Sequence, residues 1–328
     1  MPGALKTILP RRRALLLGAA AALAASALPV PASEVGKLYV GFAAGGATDT
    51  LARLIAPALS SELGQTFIVE NVPGASGMLA AKAVERSTPR QPAYVLYPTM
   101  TMLGKVLAGQ PSELDKLTPI SLLYEQFTLV VVNPQVPGLE NVRTLQDLLQ
   151  VAKAKPGLTY GPMGVGSTGH LTMEWLNSLA GVKMQAVPYK GGAPAMADLL
   201  GGHIGVLIAD STVVAPHLNS GKVRAIAVNY PQRMASLPDV PTIQEQGFKE
   251  IAGVPWVVLA GPPGMPQQQA AALAKALDKV LAQPELVQAM RAQNVEPRSS
   301  SPKEATQLMQ GDLALWSRII KDNHITNN

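Results

Sequence analysis

Two glycine-rich turns contain the residues whose types and spacing could do chemistry. The first runs from Gly41 to Thr50 and reads Gly-Phe-Ala-Ala-Gly-Gly-Ala-Thr-Asp-Thr, between an apolar strand candidate and an amphipathic helix candidate. Glycines 45 and 46 let the backbone approach a ligand closely, because they carry no Cβ atom. Thr48 or Asp49 can cap the helix, whose free N–H groups and positive dipole end face the same place. The pattern predicts an anion-binding loop, and an ordinary strand-to-helix turn is the alternative.

The second turn spans residues 161–170 and formally contains G-x-G-x-x-G at Gly164, Gly166 and Gly169. A dinucleotide site needs an acidic residue about 20 positions further on, to hold the ribose. The sequence there reads Pro-Tyr-Lys-Gly-Gly at 188–192, without a carboxylate. We therefore predict a second anion-binding loop, with hydroxyl groups from Ser167 and Thr168 at a helix start.

Ser167 and His170 also invite a hydrolase interpretation, which their spacing disfavours. A nucleophile elbow G-x-S-x-G requires glycine at 165, where this chain has valine. The histidines and carboxylates show no metal-ligand spacing. His170 is interpreted as a helix-start or ligand-side residue, with a structural histidine as the alternative. Asp210 follows a strand candidate and is expected at the cleft mouth, where it either orients a ligand or caps the next helix.

The N-terminus has the pattern of a secretory signal peptide. Lys6 and the arginines at 11–13 precede a stretch from Ala14 to Leu28 made of Ala, Leu, Gly and Ser, and small residues follow. We predict export to the periplasm, with cleavage near Ala27 or Ala32 and the general or the twin-arginine route both open. An N-terminal membrane anchor is the alternative, although the apolar stretch is short for a span of ~20 residues.

Composition excludes several other classes of protein. The formal net charge is +5, and residues 1–32 contain four basic residues and no acidic ones, so the mature chain carries only +1. The expected mature protein therefore has no nucleic-acid footprint. Aromatic residues make up only 4% and cysteines are absent, which argues against base-stacking platforms and disulfides.

Strand-length apolar runs alternate with helical segments, which predicts an α/β fold of mainly parallel sheets flanked by helices. Proline and glycine punctuate 133–138 and 253–264, and we interpret these segments as two crossings of a hinge between lobes. Lobe one is predicted to contain residues 33–133 and 255–328, and lobe two residues 134–254.

Seven stretches, in this order and spacing, resemble Bug-type extracytoplasmic solute receptors, the binding proteins of tripartite tricarboxylate transporters. The resemblance covers nearly the whole mature chain. The stretches are Gly41–Asp49, Val69–Gly77, Thr118–Leu122, Gly166–Leu171, Val187–Ala195, Asp198–Gly202 and Leu237–Thr242.

The resemblance implies a type II periplasmic binding fold and a monomeric receptor without cofactor, metal or catalytic activity. It implies a cleft that closes on a small carboxylate and delivery to integral membrane permease subunits. A receptor presenting its ligand to a sensor kinase, and an exported enzyme, are the alternatives. Tyr189, Lys190 and Gly191 are either cleft residues or a structural turn. The expected ligand-binding residues are Phe42, Ala44, Gly45, Gly46, Thr48, Asp49, Thr99, Thr101, Met163, Gly166, Ser167, Thr168, His170 and Asp210.

The chain departs from the family pattern at three places. Ala44 stands where members usually have proline, residues 90–94 replace an Asp-Gly-Tyr motif, and the segment 107–116 is shortened. Since the third loop is expected to border the cleft, ligand preference is predicted to differ from that of close relatives.

Overall fold

The structure, a computed structural model, describes residues 35–87, 93–107, 109, 116–251, 253–323 and 325. The chain divides into residues 1–34 and one compact unit from Val35 onward. The predicted signal peptide lies outside the described residues. No helix in the described part of the chain is both long enough and apolar enough to cross a membrane.

The first sheet has six strands in the order β11-β4-β10-β3-β1-β2. Strand β1 is parallel to both β2 and β3, whereas β10 is antiparallel to both β3 and β4. Its strands are β1 Gly36–Val40, β2 Phe67–Asn71, β3 Ala93–Pro98, β4 Thr118–Gln126, β10 Trp256–Gly261 and β11 Val295–Pro297.

The second sheet has five strands in the order β7-β6-β8-β5-β9. Strand β6 is parallel to β7 and β8, while β5 is antiparallel to β8 and β9. Its strands are β5 Thr128–Val132, β6 Thr159–Pro162, β7 Gln185–Ala186, β8 Val206–Asp210 and β9 Arg224–Asn229.

Both sheets are mixed, so the expectation of mainly parallel sheets is corrected. The chain passes from the first sheet to the second between β4 and β5 and returns before β10. The strands that follow the crossings, β5 and β10, each lie between two neighbours and run antiparallel to both. Strand β5 belongs to the second sheet, although the predicted boundary at residue 133 assigns it to lobe one. Since β4 ends at Gln126 in the first sheet and β5 starts at Thr128 in the second, the first crossing between the sheets lies near Phe127. The predicted lobe boundaries stay a prediction.

Helices flank both sheets. Helices α3 and α9 and strands β4 and β11 were not predicted from the sequence. Thr99 and Thr101, which are expected to bind the ligand, lie in α3. The helices are α1 Ala47–Leu63, α2 Met78–Glu85, α3 Thr99–Leu107, α4 Leu145–Ala154, α5 Thr168–Ala180, α6 Gly192–Gly201, the short α7 Ser211–Val214, α8 Gln267–Leu281, α9 Pro284–Ala292 and α10 Pro302–Asp322.

Local sequence explains where several helices begin. Helices α4 and α10 each start with a complete capping box, formed by Thr144 with Asp147 and by Ser301 with Glu304. Helices α1 and α6 instead follow Gly46 and Gly191, without a side-chain cap. The uncapped starts leave backbone N–H groups without intrahelical partners.

The apolar core continues from one sheet to the other. One buried cluster contains residues of both sheets, among them Val95 of β3 and Ile208 of β8. In the same cluster the rings of Trp175 on α5 and Trp316 on α10 meet edge to face, with their centroids 6.2 Å apart. This contact joins α5, which follows β6 of the second sheet, to the C-terminal helix α10, which packs beside the first sheet.

Candidate functional site

A cavity of about 300 Å³ lies between the two sheets. Helices α1 and α3 and the ends of β4 and β10 supply one wall, and α5, α6 and the end of β8 supply the other. The lining residues are Phe42, Gly46, Ala47, Thr48, Pro98, Thr99, Met100, Gln126, Met163, Ser167, Thr168, Gly169, Gly191, Gly192, Asp210, Thr212, Val213, Pro255 and Trp256.

The structure brings the two predicted glycine-rich loops to this one cavity. Of the fourteen predicted residues, Phe42, Gly46, Thr48, Thr99, Met163, Ser167, Thr168 and Asp210 line it. Ala44, Gly45, Asp49, Thr101, Gly166 and His170 are not among the lining residues.

Asp49 stabilises the first loop from within. Its carboxylate accepts hydrogen bonds from the Gly45 N–H at 2.8 Å, from Arg53 Nε at 3.0 Å and from Asn71 Nδ2 at 2.9 Å. The hydrogen bond from Arg53, followed by that from Gly45, lowers the pKa of Asp49 to about 2 against the cost of burial. The expectation that Thr48 or Asp49 caps α1 is corrected: Gly46 occupies the N-cap position, and Asp49 is the third residue of the helix.

His170 occupies the matching position in the second loop. Ser167 caps α5 by accepting from the His170 N–H, and His170 Nδ1 accepts from the Gly166 N–H at 3.2 Å. Nδ1 must therefore be unprotonated, which leaves the proton of the neutral ring on Nε2. Burial lowers the pKa of His170, opposed by the charge of Glu174.

The two loops therefore share one local design. In each, a glycine with positive φ, Gly45 at 80° or Gly166 at 73°, precedes the N-cap residue. Its N–H donates to a side chain four positions later, in the first turn of the helix. A Cβ on Gly166 would also overlap Leu107 of α3, so glycine is needed there for packing as well as for conformation.

Thr99 fixes the floor of the cavity. Its hydroxyl accepts from the Trp256 N–H at 2.8 Å and donates to the Trp256 carbonyl at 3.1 Å, which ties the start of α3 to β10. Trp256 Nε1 in turn donates to Asp312 Oδ2 at 2.6 Å. Thr101 is buried beside Gly77 and away from the cavity surface.

Asp210 ends β8 opposite Thr128 of β5. It stands at the N-cap position of α7, but its side chain makes no capping hydrogen bond. The alternative that the Asp210 side chain caps the next helix is therefore wrong. Burial raises the pKa of Asp210 to about 6, and the Thr128 hydroxyl opposes the shift.

Sequence reasoning missed several lining residues. Trp256 lies within the predicted crossing at 253–264, which was a usable signal for it, whereas Gln126 precedes the observed crossing and lies outside the predicted segment 133–138. Of the three residues left open between cleft and structural turn, Gly191 lines the cavity, as does its neighbour Gly192, whereas Tyr189 and Lys190 are not among the lining residues. The Tyr189 hydroxyl donates to Asp198 Oδ2 at 2.7 Å. Met100, Thr212 and Val213 carried no signal in the sequence.

The helix starts α1, α5 and α6 give this cavity its electrostatic character. Among the described lining residues there is no lysine, arginine or histidine, and Asp210 is the sole ionisable side chain. Uncommitted N–H groups and helix dipoles thus supply the positive potential. The arrangement suits an anion held by neutral donors.

Comparisons with known proteins agree with this architecture. The family model described as tripartite tricarboxylate transporter family receptor matches residues 51–325. Protein BugT of Bordetella pertussis is 29% identical over 317 residues, covering 94% of this chain and 96% of BugT.

Two solved structures share the fold over most of their length. The R. palustris protein Rpa4515 with adipate has a TM-score of 0.77 at 30% identity, covering 90% of this chain and 99% of that one. MatC from Rhodopseudomonas palustris with bound malate has a TM-score of 0.72 at 27% identity, covering 89% and 100%. The chain belongs to the tripartite tricarboxylate transporter receptor family, the Bug-type periplasmic solute-binding proteins.

Proposed function

We propose that this protein captures a small carboxylate in the cavity between its sheets and delivers it to the membrane permease of a tripartite tricarboxylate-type transporter. The observation that carries the proposal is the convergence of three helix starts from both sheets on one cavity without a cationic side chain among its described lining residues. The relatives with adipate and malate support the ligand class.

The size of the cavity fits a small metabolite. A volume of about 300 Å³ corresponds to roughly ten water molecules at about 30 Å³ each. It also lies at the low end of the range for ligand pockets, roughly 300–1,000 Å³. A short acid with a few polar atoms fills such a space, whereas a large cofactor does not.

The ligand's charge is neutralised by oriented donors rather than by a counter-ion. Each helix start is equivalent to roughly half a positive charge. Hydroxyls of Thr48, Ser167 and Thr168 and the amide of Gln126 add further donors around the cavity. Hydrogen bonds to a charged acceptor are stronger than neutral ones, and bridging water can extend them.

Residues of the two loops that do not line the cavity have a positioning role in this proposal. Asp49 and His170 hold Gly45 and Gly166, and so set the direction of the amides at the next helix start. The sequence predicts Gly45, Asp49, Gly166 and His170 as ligand-binding residues, and the role proposed for them here is support of the loops. Direct contact of these residues and of Ala44 with the ligand stays a prediction.

Binding needs no covalent step. A ligand that touches both walls makes all its contacts only when the walls are close, so it shifts an open population towards a closed one. The closed form is the one that a permease would recognise. In this proposal the signal peptide is cleaved near Ala27 or Ala32 on export. The mature protein then acts in the periplasm as a monomer.

A screen of small acids tests ligand capture. Purified protein is titrated by calorimetry with mono-, di- and tricarboxylates, amino acids and aromatic acids, and with neutral amides as controls. A ligand that binds only the folded state also raises the unfolding temperature. The proposal predicts binding of at least one acid and of no matched amide; a panel without any binding acid contradicts it.

Gly46→Val tests the first helix start. Gly46 lines the cavity with φ at −74°, a value open to any residue, and a Cβ there meets only the Ala43 carbonyl oxygen at 3.3 Å. The variant should fold but lose at least about ten-fold in affinity, which is about 1.4 kcal/mol. Gly164→Val is the matched control in the other loop, since Gly164 is not a lining residue and its Cβ would have ordinary contacts. Equal affinities for both variants would exclude Gly46 as a contact.

Delivery to a permease is tested separately. Uptake of the identified acid is compared in cells with and without this receptor, and in cells without the partner permease. Loss of uptake in both deletions supports transport. Normal uptake with a lost transcriptional response would favour a sensor kinase partner, and turnover of the acid by purified protein would favour an enzyme.

A further inference from the structure

Asp210 places a negative charge in a cavity that otherwise attracts anions. It is the one ionisable side chain among the described lining residues, and its carboxylate makes neither an ion pair nor a capping hydrogen bond. Burial raises the pKa of Asp210, and the Thr128 hydroxyl, which lies opposite Asp210 across the β5–β8 pair, opposes that shift. An uncommitted acceptor of this kind needs an explanation in terms of the ligand.

Tyr124 on β4, whose hydroxyl senses the charge of Asp210, cannot neutralise it. The ring of Tyr124 is fully buried. Burial raises the pKa of this tyrosine, the Thr48 hydroxyl opposes the shift and the charge of Asp210 adds to it, so the tyrosine stays neutral. The described residues around the cavity therefore leave Asp210 without a cationic partner.

A ligand carboxylate placed against Asp210 would be repelled. Two carboxylates in contact inside a protein cannot both stay ionised without cost, because little water separates them. A hydroxyl or ammonium group at the same place would instead donate a hydrogen bond to a charged acceptor. The amide-rich helix starts would then hold the ligand's carboxylate elsewhere in the same cavity.

Resting on the proposed function, we infer that Asp210 selects carboxylates that carry a hydrogen-bond donor, a hydroxyl or an ammonium group, over the unsubstituted acids of equal length. The charge balance agrees with this assignment. Three helix starts contribute roughly +1.5 charges in sum, and Asp210 contributes −1. A small positive excess suits an amino dicarboxylate, whose ammonium group cancels one carboxylate charge, better than a plain dianion. A hydroxy dicarboxylate keeps the charge of the dianion, and its advantage is the hydrogen bond that it donates to Asp210.

The test compares matched sets of acids at pH 7.5 by calorimetry. Each set contains a parent acid, its 2-hydroxy form and its 2-amino form: succinate, malate and aspartate; glutarate, 2-hydroxyglutarate and glutamate. In the unaltered protein the tightest-binding set should prefer a donor-bearing member over its parent at least about ten-fold.

Asp210→Asn removes the charge with little change of shape. The variant should bind the parent acid more tightly and the 2-amino acid more weakly, so that the preference falls below about three-fold or reverses. Asp147→Asn is the matched control, because that carboxylate caps α4 and is not a lining residue. It should leave the order of affinities unchanged.

The outcomes separate this inference from the proposed function. If acids bind but the parents match or exceed their substituted forms, or if Asp210→Asn keeps the original order, the role of Asp210 is wrong while carboxylate capture stands. If no acid binds the native protein, the proposed function itself fails. A thermal melt of Asp210→Asn establishes that the variant is folded before affinities are compared.

Discussion

At the scale of single residues, the two loops show how a short side chain can hold a ligand-facing backbone. Asp49 and His170 differ in chemistry but occupy the same third position of their helices, and each accepts the N–H of a glycine four residues earlier. Either side chain needs to be an unprotonated acceptor. The two loops therefore respond to acid at different pH.

The depressed pKa of Asp49 predicts a specific dependence of stability on pH. Because its pKa is about 2 in the folded protein and 3.8 in the unfolded reference, its stabilisation is present above pH 4 and is lost as the pH falls towards 2. Asp49→Asn should reduce the acid-induced loss of unfolding free energy by about 1–2 kcal/mol. Denaturant titrations at a series of pH values measure this. An unchanged acid slope would contradict the assigned hydrogen bonds.

Asp312 provides a control of opposite sign. Burial raises its pKa to about 6, opposed by the hydrogen bond from Trp256. The raised pKa means that this group costs stability as the pH rises from about 4 to about 6. Asp312→Asn should therefore gain stability relative to the native protein over that interval, whereas Asp49→Asn should show no gain there.

His170 is predicted to be neutral with its proton on Nε2 at pH 7. Its Nδ1 accepts from the Gly166 N–H, and burial lowers its pKa. Nitrogen-15 NMR of the imidazole measures the tautomer directly. A proton found on Nδ1 at neutral pH would show that the loop is held in another way.

At the scale of elements, the contact between α10 and the rest of the protein depends on a glycine. A Cβ on Gly253 would overlap the indole ring of Trp316, which is fully buried against Trp175 of α5. Gly253→Ala should lower the unfolding free energy by about 1–3 kcal/mol, because the ring or the backbone must move.

Gly311 is the matched control within α10. Gly311 lies in the middle of α10, and a Cβ there would face open space. Gly311→Ala should therefore stabilise the protein by about 0.5–1 kcal/mol. Denaturant unfolding of both variants measures the pair. If Gly253→Ala leaves the unfolding free energy unchanged, α10 can shift without cost and the assigned packing constraint is wrong.

At the scale of the whole molecule, the proposed function requires one ligand to contact elements of both sheets. Hydrogen exchange with the best-binding acid should show slower exchange in both loops, residues 43–48 and 163–169. At a concentration of 100 times its Kd, the acid should add about 2.7 kcal/mol to the stability of the folded state. Protection of one loop alone would contradict a ligand that bridges the cavity.

Part of the fold was readable from the sequence because its signals are local. Glycine turns, capping residues and strand-length apolar runs each depend on neighbouring residues, and they predicted the helix start at Ser167 and Thr168, where α5 begins. Helix α3 was not recognised, since it begins directly after β3 without an intervening turn. The short edge strand β11 has only three residues and depends on pairing with β4.

The sequence by itself determined the two glycine loops, the α/β class and the family, because these depend on residue types and spacing along the chain. Only the tertiary structure decided that the loops share one cavity, that β5 and β10 run antiparallel within mixed sheets, and that Asp49 and His170 lie behind the lining. Those facts depend on pairings between distant residues, such as Thr99 with Trp256, which are 157 positions apart. Spacing along a chain does not specify which distant segments meet, because that choice is made by burial and hydrogen bonding in the folded core.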